Sequence, residues 1–420
     1  MHCILQGVLI IDPTSPFHNT KKDISIRDGK IDEIADHISD AKDAELFAVA
    51  GACVSPGWCD MLAAFFDPGH EEKETIESGI DAALAGGFTT VCLMPMADPA
   101  IHRKTDIEYI LNKAKHKPVR ILPYGSVTMN REGVDLTEMY DMREAGAVAF
   151  TDADKPIRDA GVLLRSLQYV RPFDGVIIDI PNDHRIMGNA NVNEGEMSVH
   201  LGMYGIPDVL EELSVIRDIK LAEYANARIH LGIISSAKSI AHIRTAKEAG
   251  VRVTAGTSAY HLYFDESELF DYNTHFKVNP PLRSREDVLA LVEAVKDGTI
   301  DVVCSYHIPH EADAKDVEFE NASFGMETLE STFGAAHFAL DGNTALLIEK
   351  IAINPRKILG LEIPGVQLGA EAELTIFIPD AEWECSAENI RSRSKNAGFI
   401  GRELLGKAIA TFTFGKLNIL

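Results

Sequence analysis

The feature that most limits what this chain can fold into is the alternation of apolar and amphipathic segments over residues 54–340. Apolar stretches at 88–94, 147–150, 175–180, 228–231, 251–254 and 300–304 are rich in Val, Ile and Thr, which suit a pleated, buried strand. Between them, 74–85, 236–249 and 285–297 carry apolar residues at helical spacing, and each ends at a Gly or an acidic turn. Repeated strand–helix units on this scale favour a closed parallel (β/α)8 barrel, although a doubly wound open sheet has the same local signature. The chain ends follow another rule. Residues 4–12, 23–27 and 30–35 alternate as strands, with Asp28-Gly29 as a hairpin turn, and the strand pattern returns at 372–378 and 408–414.

Composition narrows the class. At 420 residues and 46% hydrophobic content the chain can bury a large interior, suiting one large domain with a smaller companion. A formal charge of −24 argues against sequence-independent nucleic-acid binding, because the mean field repels a phosphate backbone. The N-terminus lacks the layout of a signal peptide, and no apolar run reaches the roughly 18 residues a membrane span needs. The expectation is a soluble cytoplasmic protein without a membrane partner. Six scattered cysteines without a Cys-x-x-Cys pair read as reduced thiols. Neither a phosphate-cradling Gly-x-x-x-x-Gly-Lys-Ser/Thr loop nor a Gly-x-Ser-x-Gly nucleophile elbow is present.

Several separated blocks carry a resemblance. Cys59-Asp60-Met61-Leu62-Ala63-Ala64-Phe65-Phe66-Asp67-Pro68-Gly69 has the frame of a metal-binding strand end. Downstream come Ala85-Gly86-Gly87-Phe88-Thr89-Thr90-Val91, the most specific block Lys277-Val278-Asn279-Pro280-Pro281-Leu282-Arg283, then His307-Ile308-Pro309-His310 and Ser323-Phe324-Gly325-Met326-Glu327. In this order they resemble the dihydroorotases, cyclic amidohydrolases of the amidohydrolase superfamily. The resemblance implies an α/β fold, a (β/α)8 TIM-like barrel of the metal-dependent hydrolase type over 55–350. A small β-sandwich would be built from 1–54 and 351–420.

The departures from the family pattern fall on its chemistry. A hydrolytic centre of this class needs imidazole and carboxylate ligands around zinc, and a carboxylate to move the proton of the bound water. The positions that the resemblance assigns to metal ligands hold Leu62, Ala64, Ala153, Ile180 and Ile233, and the position of the general base holds Tyr306. Phe66 and Met96 stand where the family grips a substrate carboxylate with Arg and Asn, whereas Asn279, His310 and Gly325 persist at substrate-contacting positions. Losing the charge-assisted partners of a buried carboxylate costs about 3 kcal/mol, so dihydroorotate is expected to bind poorly.

The blander readings weigh against new chemistry. His230, His307 and His310 are expected to be structural, since a metal site wants three converging ligands. Asp152, Asp154 and Lys155 are expected to cap a loop and the following helix, and Met61, Phe65, Phe66, Met94 and Met96 to fill the barrel mouth. The resemblance thus implies a dihydroorotase-like chain of pyrimidine biosynthesis without catalytic residues and without a cofactor. It would act as a structural or regulatory partner, for example of aspartate transcarbamoylase, and form a homodimer. Two alternatives are an active zinc-dependent dihydroorotase, interconverting N-carbamoyl-L-aspartate and L-dihydroorotate, and a binder of a small cyclic amide.

Overall fold

The computed structural model describes residues 2–39 and 43–420. Two sets of strands divide its sheet structure. The first is parallel: Trp58–Ala63 pairs with Phe88–Leu93, which pairs with Arg120–Pro123. A second parallel set runs Val176–Asp179, Arg228–Leu231, Val253–Ser258 and Val302–Cys304. Single parallel bridges join the two sets, Gly125 to Phe150 and Phe150 to Ile177 on one side and Ala63 to His307 on the other. The expected strand at 147–150 therefore joins the ring as isolated bridges at Phe150, with backbone hydrogen bonds from Val148 to the Pro123 carbonyl and from Gly125 to the Ala149 carbonyl, and forms no longer ladder. These strands are buried along their whole length in most cases, as expected where helices cover the outer face of a parallel barrel.

Local chemistry sets the helix boundaries. Ile76–Ala85 starts at Thr75, whose side chain accepts from the Ser78 N–H while Ser78 Oγ accepts from the Thr75 N–H. It stops at Gly86-Gly87. Gly87 has φ +85°, and a Cβ there would lie 2.4 Å from Ala408 Cβ and 2.8 Å from the Trp58 ring. Only glycine allows that turn beneath the sheet. Ala237–Glu248 and Arg285–Lys296 are capped by single serines, Ser236 accepting from the Lys238 N–H and Ser284 from the Asp287 N–H.

Both chain ends build one further sheet, in the order Lys416–Ile419, Glu403–Thr413, Leu374–Glu384, Cys53–Pro56, His2–Ile10, Lys21–Arg27 and Lys30–Ala35, with Glu45–Phe47 beside His2–Ile10. The hairpin read around Asp28-Gly29 is present, with Arg27 opposite Lys30. Alternate residues such as Leu5, Ile24, Val54, Ile376 and Phe412 form its separate apolar core. Arg356 joins sheet to barrel: its guanidinium donates to the carbonyls of Gly57 (2.6 Å) and Ala352 (2.9 Å) and pairs with Glu373. Trp58 stacks on Phe333 at 4.2 Å in the same seam. Among the described residues, no helix is long and apolar enough to cross a membrane.

Candidate functional site

A cavity of about 340 Å³ opens where the barrel strands end and the following loops begin. In (β/α)8 folds this is the end at which loops from different strands converge. Six residues singled out in the sequence line it together: Phe66, Met96, Asn279, Tyr306, His310 and Gly325. Gly325 has φ +145°, and a Cβ there would come within 2.5 Å of the Ile308 carbonyl, so the close backbone approach admits no side chain. Four non-glycine residues of the mouth region, Phe66 (φ 55°), Arg131 (φ 58°), Ala153 (φ 54°) and Tyr306 (φ 49°), adopt the left-handed conformation. Each costs about 1–2 kcal/mol relative to ordinary backbone, and such strain gathers at ligand-handling sites.

Below the cavity the side chains are aliphatic. Leu62, Ala64 and Ile233 are wholly buried, and Ala153 and Ile180 nearly so. Leu62 and Ile180 meet around Gly232, where a Cβ would lie 3.2 Å from Leu62 Cδ1 and 3.3 Å from Ile180 Cγ1. These residues do not fit a zinc ion, because none of them offers a lone pair. Among the described residues no group of three or more His, Cys, Asp and Glu is placed to hold a metal. Met61, Phe65, Phe66, Met94 and Met96 are buried in the same apolar cluster.

The three histidines part company. His230 is buried beneath the cavity, bonded through Nδ1 to Thr254 Oγ1 at 2.9 Å, and burial pulls its pKa down to about 3. His307 Nδ1 accepts from the Thr328 N–H at 3.2 Å, and its Nε2 lies 3.5 Å from buried Glu74. His310 instead faces the cavity. Its Nε2 meets the Phe324 carbonyl at 2.9 Å; a carbonyl only accepts, so Nε2 carries the proton and Nδ1 presents a lone pair. That Nδ1 is buried without a partner, and burial lowers the ring's pKa to about 4, leaving it neutral.

The acidic pair after Phe150 differs from the capping expectation. Asp152 accepts from the N–H groups of Val127 (2.8 Å) and Thr128 (3.0 Å) and from Thr128 Oγ1, so it does fasten a loop. Burial still pushes its pKa up to about 6. Asp154 pairs with Arg131 at 2.5 Å, and the next helix, Ala160–Val170, is capped by Asp159. The chain travels far enough from Asp154 to the helix that a closer aspartate takes the cap.

Sequence reasoning missed the cavity's cations. Lys73 is half-buried on its rim, with Nζ 4.7 Å from the centre of the Phe66 ring. Arg131 reaches in from the turn Met129–Arg131, where both Asn130 and Arg131 are left-handed. No local motif announces either residue. Asn279 belongs to the block ending at Arg283, whose buried guanidinium fixes it by donating to Ser235 Oγ (3.1 Å), Asn193 Oδ1 (2.7 Å) and the Ile206 carbonyl (3.0 Å).

Comparison with known proteins accounts for this arrangement. A Dihydro-orotase-like family model matches residues 51–239. Proteins named dihydroorotase from Syntrophus aciditrophicus (strain SB) and Geotalea daltonii are each 38% identical, covering 99% of this chain and 99% of their own. Among solved structures, an L-hydantoinase (dihydropyrimidinase) from Arthrobacter aurescens superposes with a TM-score of 0.88 at 22% identity, over 100% of this chain and 98% of its own. A D-hydantoinase gives 0.84 at 21% identity, over 99% and 95%. These structures share the fold, a TIM-like amidohydrolase barrel with a strand-rich sheet from both chain ends. The full-length sequence relatives go further, and with the barrel and its mouth they place this chain in the dihydroorotase family.

Proposed function

We propose that this chain is a dihydroorotase-family protein of pyrimidine biosynthesis that does not hydrolyse rings and serves as a structural or regulatory partner. The observation that carries the reading is the aliphatic packing of Leu62, Ile180 and Ile233 at the positions the family resemblance assigns to metal ligands. A metal-activated water needs lone pairs to hold the ion and a nearby base, and Tyr306 cannot take the proton because burial raises its pKa further and keeps the phenol protonated at neutral pH. Replacing several polar groups together by apolar ones leaves no partner orphaned, so the packed mouth is compatible with a stable scaffold.

On this reading the scaffold divides into a barrel at 55–350 and a β-sandwich from 1–54 and 351–420, and what it offers a partner is its surface. Aspartate transcarbamoylase is the first candidate partner and a homodimer the first assembly to test. A second reading, an active enzyme, draws on the relatives named dihydroorotase. Metal content after expression with zinc, read by inductively coupled plasma mass spectrometry, separates the two. Less than about one-tenth equivalent, with no ring hydrolysis above background, supports the first. One or two tightly held equivalents with metal-dependent turnover would falsify it.

A further inference from the structure

Between the strand Val302–Cys304 and the helix Thr332–Ala339 the chain makes a long excursion, and its part at 311–325 forms a strap beside the barrel mouth. The strap folds back on itself, with the Ser323 N–H bonded to the Ala314 carbonyl at 3.0 Å, and it ends in Phe324 and Gly325, which line the mouth cavity. Two buried lysines fasten it. Lys277, 2% exposed, donates to the carbonyls of Phe319 and Glu320, both at 2.9 Å. Lys315, equally enclosed, donates to those of Ser323 (2.7 Å), Thr274 (3.0 Å) and Lys277 (3.4 Å). The fastening is therefore reciprocal: Lys277 reaches from the barrel side into the strap, and Lys315 reaches from the strap to the barrel side.

Carbonyls satisfy the N–H donors of an ammonium but bring no countercharge. Two like charges buried in this way repel each other and lose hydration, so the closed strap favours a pair that has given up a proton. The neighbours offset this only weakly. His275 and His310 feel the Lys315 charge from adjoining segments, and burial keeps both imidazoles neutral, His310 at about 4. Glu320 favours the Lys277 charge but is exposed, as are Asp313, Asp316 and Glu318 of the strap, so water screens them. The Phe324 ring, 4.7 Å from Lys277 Nζ, adds a weak attraction. Burial accordingly lowers Lys277 to about 8, and burial together with repulsion from Lys277 lowers Lys315 to about 7.

We propose that Lys277 and Lys315 make the strap a proton-sensitive gate on the barrel mouth: when the pair takes up its second proton, 311–325 is released and the Phe324 carbonyl leaves His310. Release brings both amines into water, where each titrates at the ordinary lysine value of about 10.4. The open strap thus binds more protons than the closed one, so opening is favoured as pH falls and closure as pH rises. The Ile308 N–H holds the Met326 carbonyl at 2.9 Å and ties the two ends of the excursion together, which keeps the release local. The gate is independent of whether the barrel hydrolyses anything, and it gives the mouth of a non-hydrolytic scaffold two states that a partner can distinguish.

Hydrogen–deuterium exchange of the full chain at pH 7.5 and pH 9.0, read by mass spectrometry with times scaled to the intrinsic rates, tests it. Both conditions lie above the range in which His275 and His310 gain charge. The N–H groups of Lys315, Asp316, Ala322, Ser323 and Gly325 are hydrogen-bonded in the closed strap. Their protection should be at least about tenfold lower at pH 7.5 than at pH 9.0, because two amines regain protons on opening, while Arg228–Leu231 and Val253–Ser258 keep theirs. In the double variant Lys277→Met/Lys315→Met, strap protection should agree within about twofold at the two pH values, whatever its level. Carbon-13 spectra of the lysine-labelled native chain read the pair without any substitution: two Cε signals should titrate well below the others, which change near about 10.4. Strap protection that is equal at both pH values, a pH dependence that survives in the double variant, or lysine signals that all titrate together would overturn the proposal.

Discussion

Replacing Arg283 by Met should show how the block that carries Asn279 is held. Arg283 is 2% exposed and its Nη2 lies 4.0 Å from the carboxylate of Glu211, which is wholly buried. Burial raises the Glu211 pKa, and the Arg283 charge, with hydrogen bonds from Ser235 and Ser236, opposes that rise. Met fills much of the same volume but leaves a buried carboxylate without its cation, and strips donors from Asn193 Oδ1 and the Ile206 carbonyl. Breaking a buried pair from one side costs about 3–5 kcal/mol, and the Ser donors that remain on Glu211 place this case near 3. Urea unfolding followed by Trp fluorescence reads the loss, since Trp58 is buried in the seam between barrel and sheet. The pH dependence checks the cause. A carboxyl whose folded pKa is raised favours the fold below its unfolded pKa and loses that contribution as pH rises through the folded value. Without Arg283 the rise is larger, so the deficit should be greater at pH 8 than at pH 5. Adding Glu211→Gln should recover at least about 1 kcal/mol, because the stranded charge is gone. A loss below 1 kcal/mol for Arg283→Met, or a double variant no better than the single one, would refute the electrostatic account.

Other outcomes follow from the same structure. Lys315 is 4% exposed and donates to the carbonyls of Ser323 (2.7 Å) and Thr274 (3.0 Å), yet burial and the neighbouring Lys277 lower its pKa to about 7. Its folded pKa lies below its unfolded one, so the unfolded chain binds more protons between the two values; stability measured by urea should rise by a few kcal/mol from pH 7 to 10, and Lys315→Met should flatten that rise. Ile233→His buries an imidazole among aliphatic groups and should cost roughly 3 kcal/mol by urea unfolding, while zinc content stays unchanged because one imidazole does not make a three-ligand site. All six cysteines are buried, with burial pushing Cys3 and Cys53 up to about 11 and Cys385 to about 12. Ellman's reagent should therefore titrate essentially none of them in the native protein and all of them in urea; rapid native labelling would contradict the packing.

Periodicity and turn chemistry determined much of this protein without help from its fold. The strands at 228–231 and 300–304, the helices after Ser236 and Ser284 and the Asp28-Gly29 hairpin depend on residues a few positions apart, and so did the aliphatic character of positions 62, 180 and 233. The motif order also reached Asn279, His310 and Gly325, which do line one cavity. Tertiary structure alone decided the rest. Lys73 follows one strand and Arg131 another, and their meeting across from His310 depends on loop paths that no local pattern encodes. The bare Nδ1 of His310 is a matter of which carbonyl its other nitrogen reaches, and the Phe324 carbonyl lies in a different segment of the chain. Single-residue pairing at Phe150 likewise reflects neighbours on both sides, Gly125 and Ile177, rather than its own strand propensity. Hydrophobic spacing and caps are short-range and survive in the sequence as a pattern; charge placement and unpaired polar atoms are long-range sums over side chains brought together only when the barrel closes.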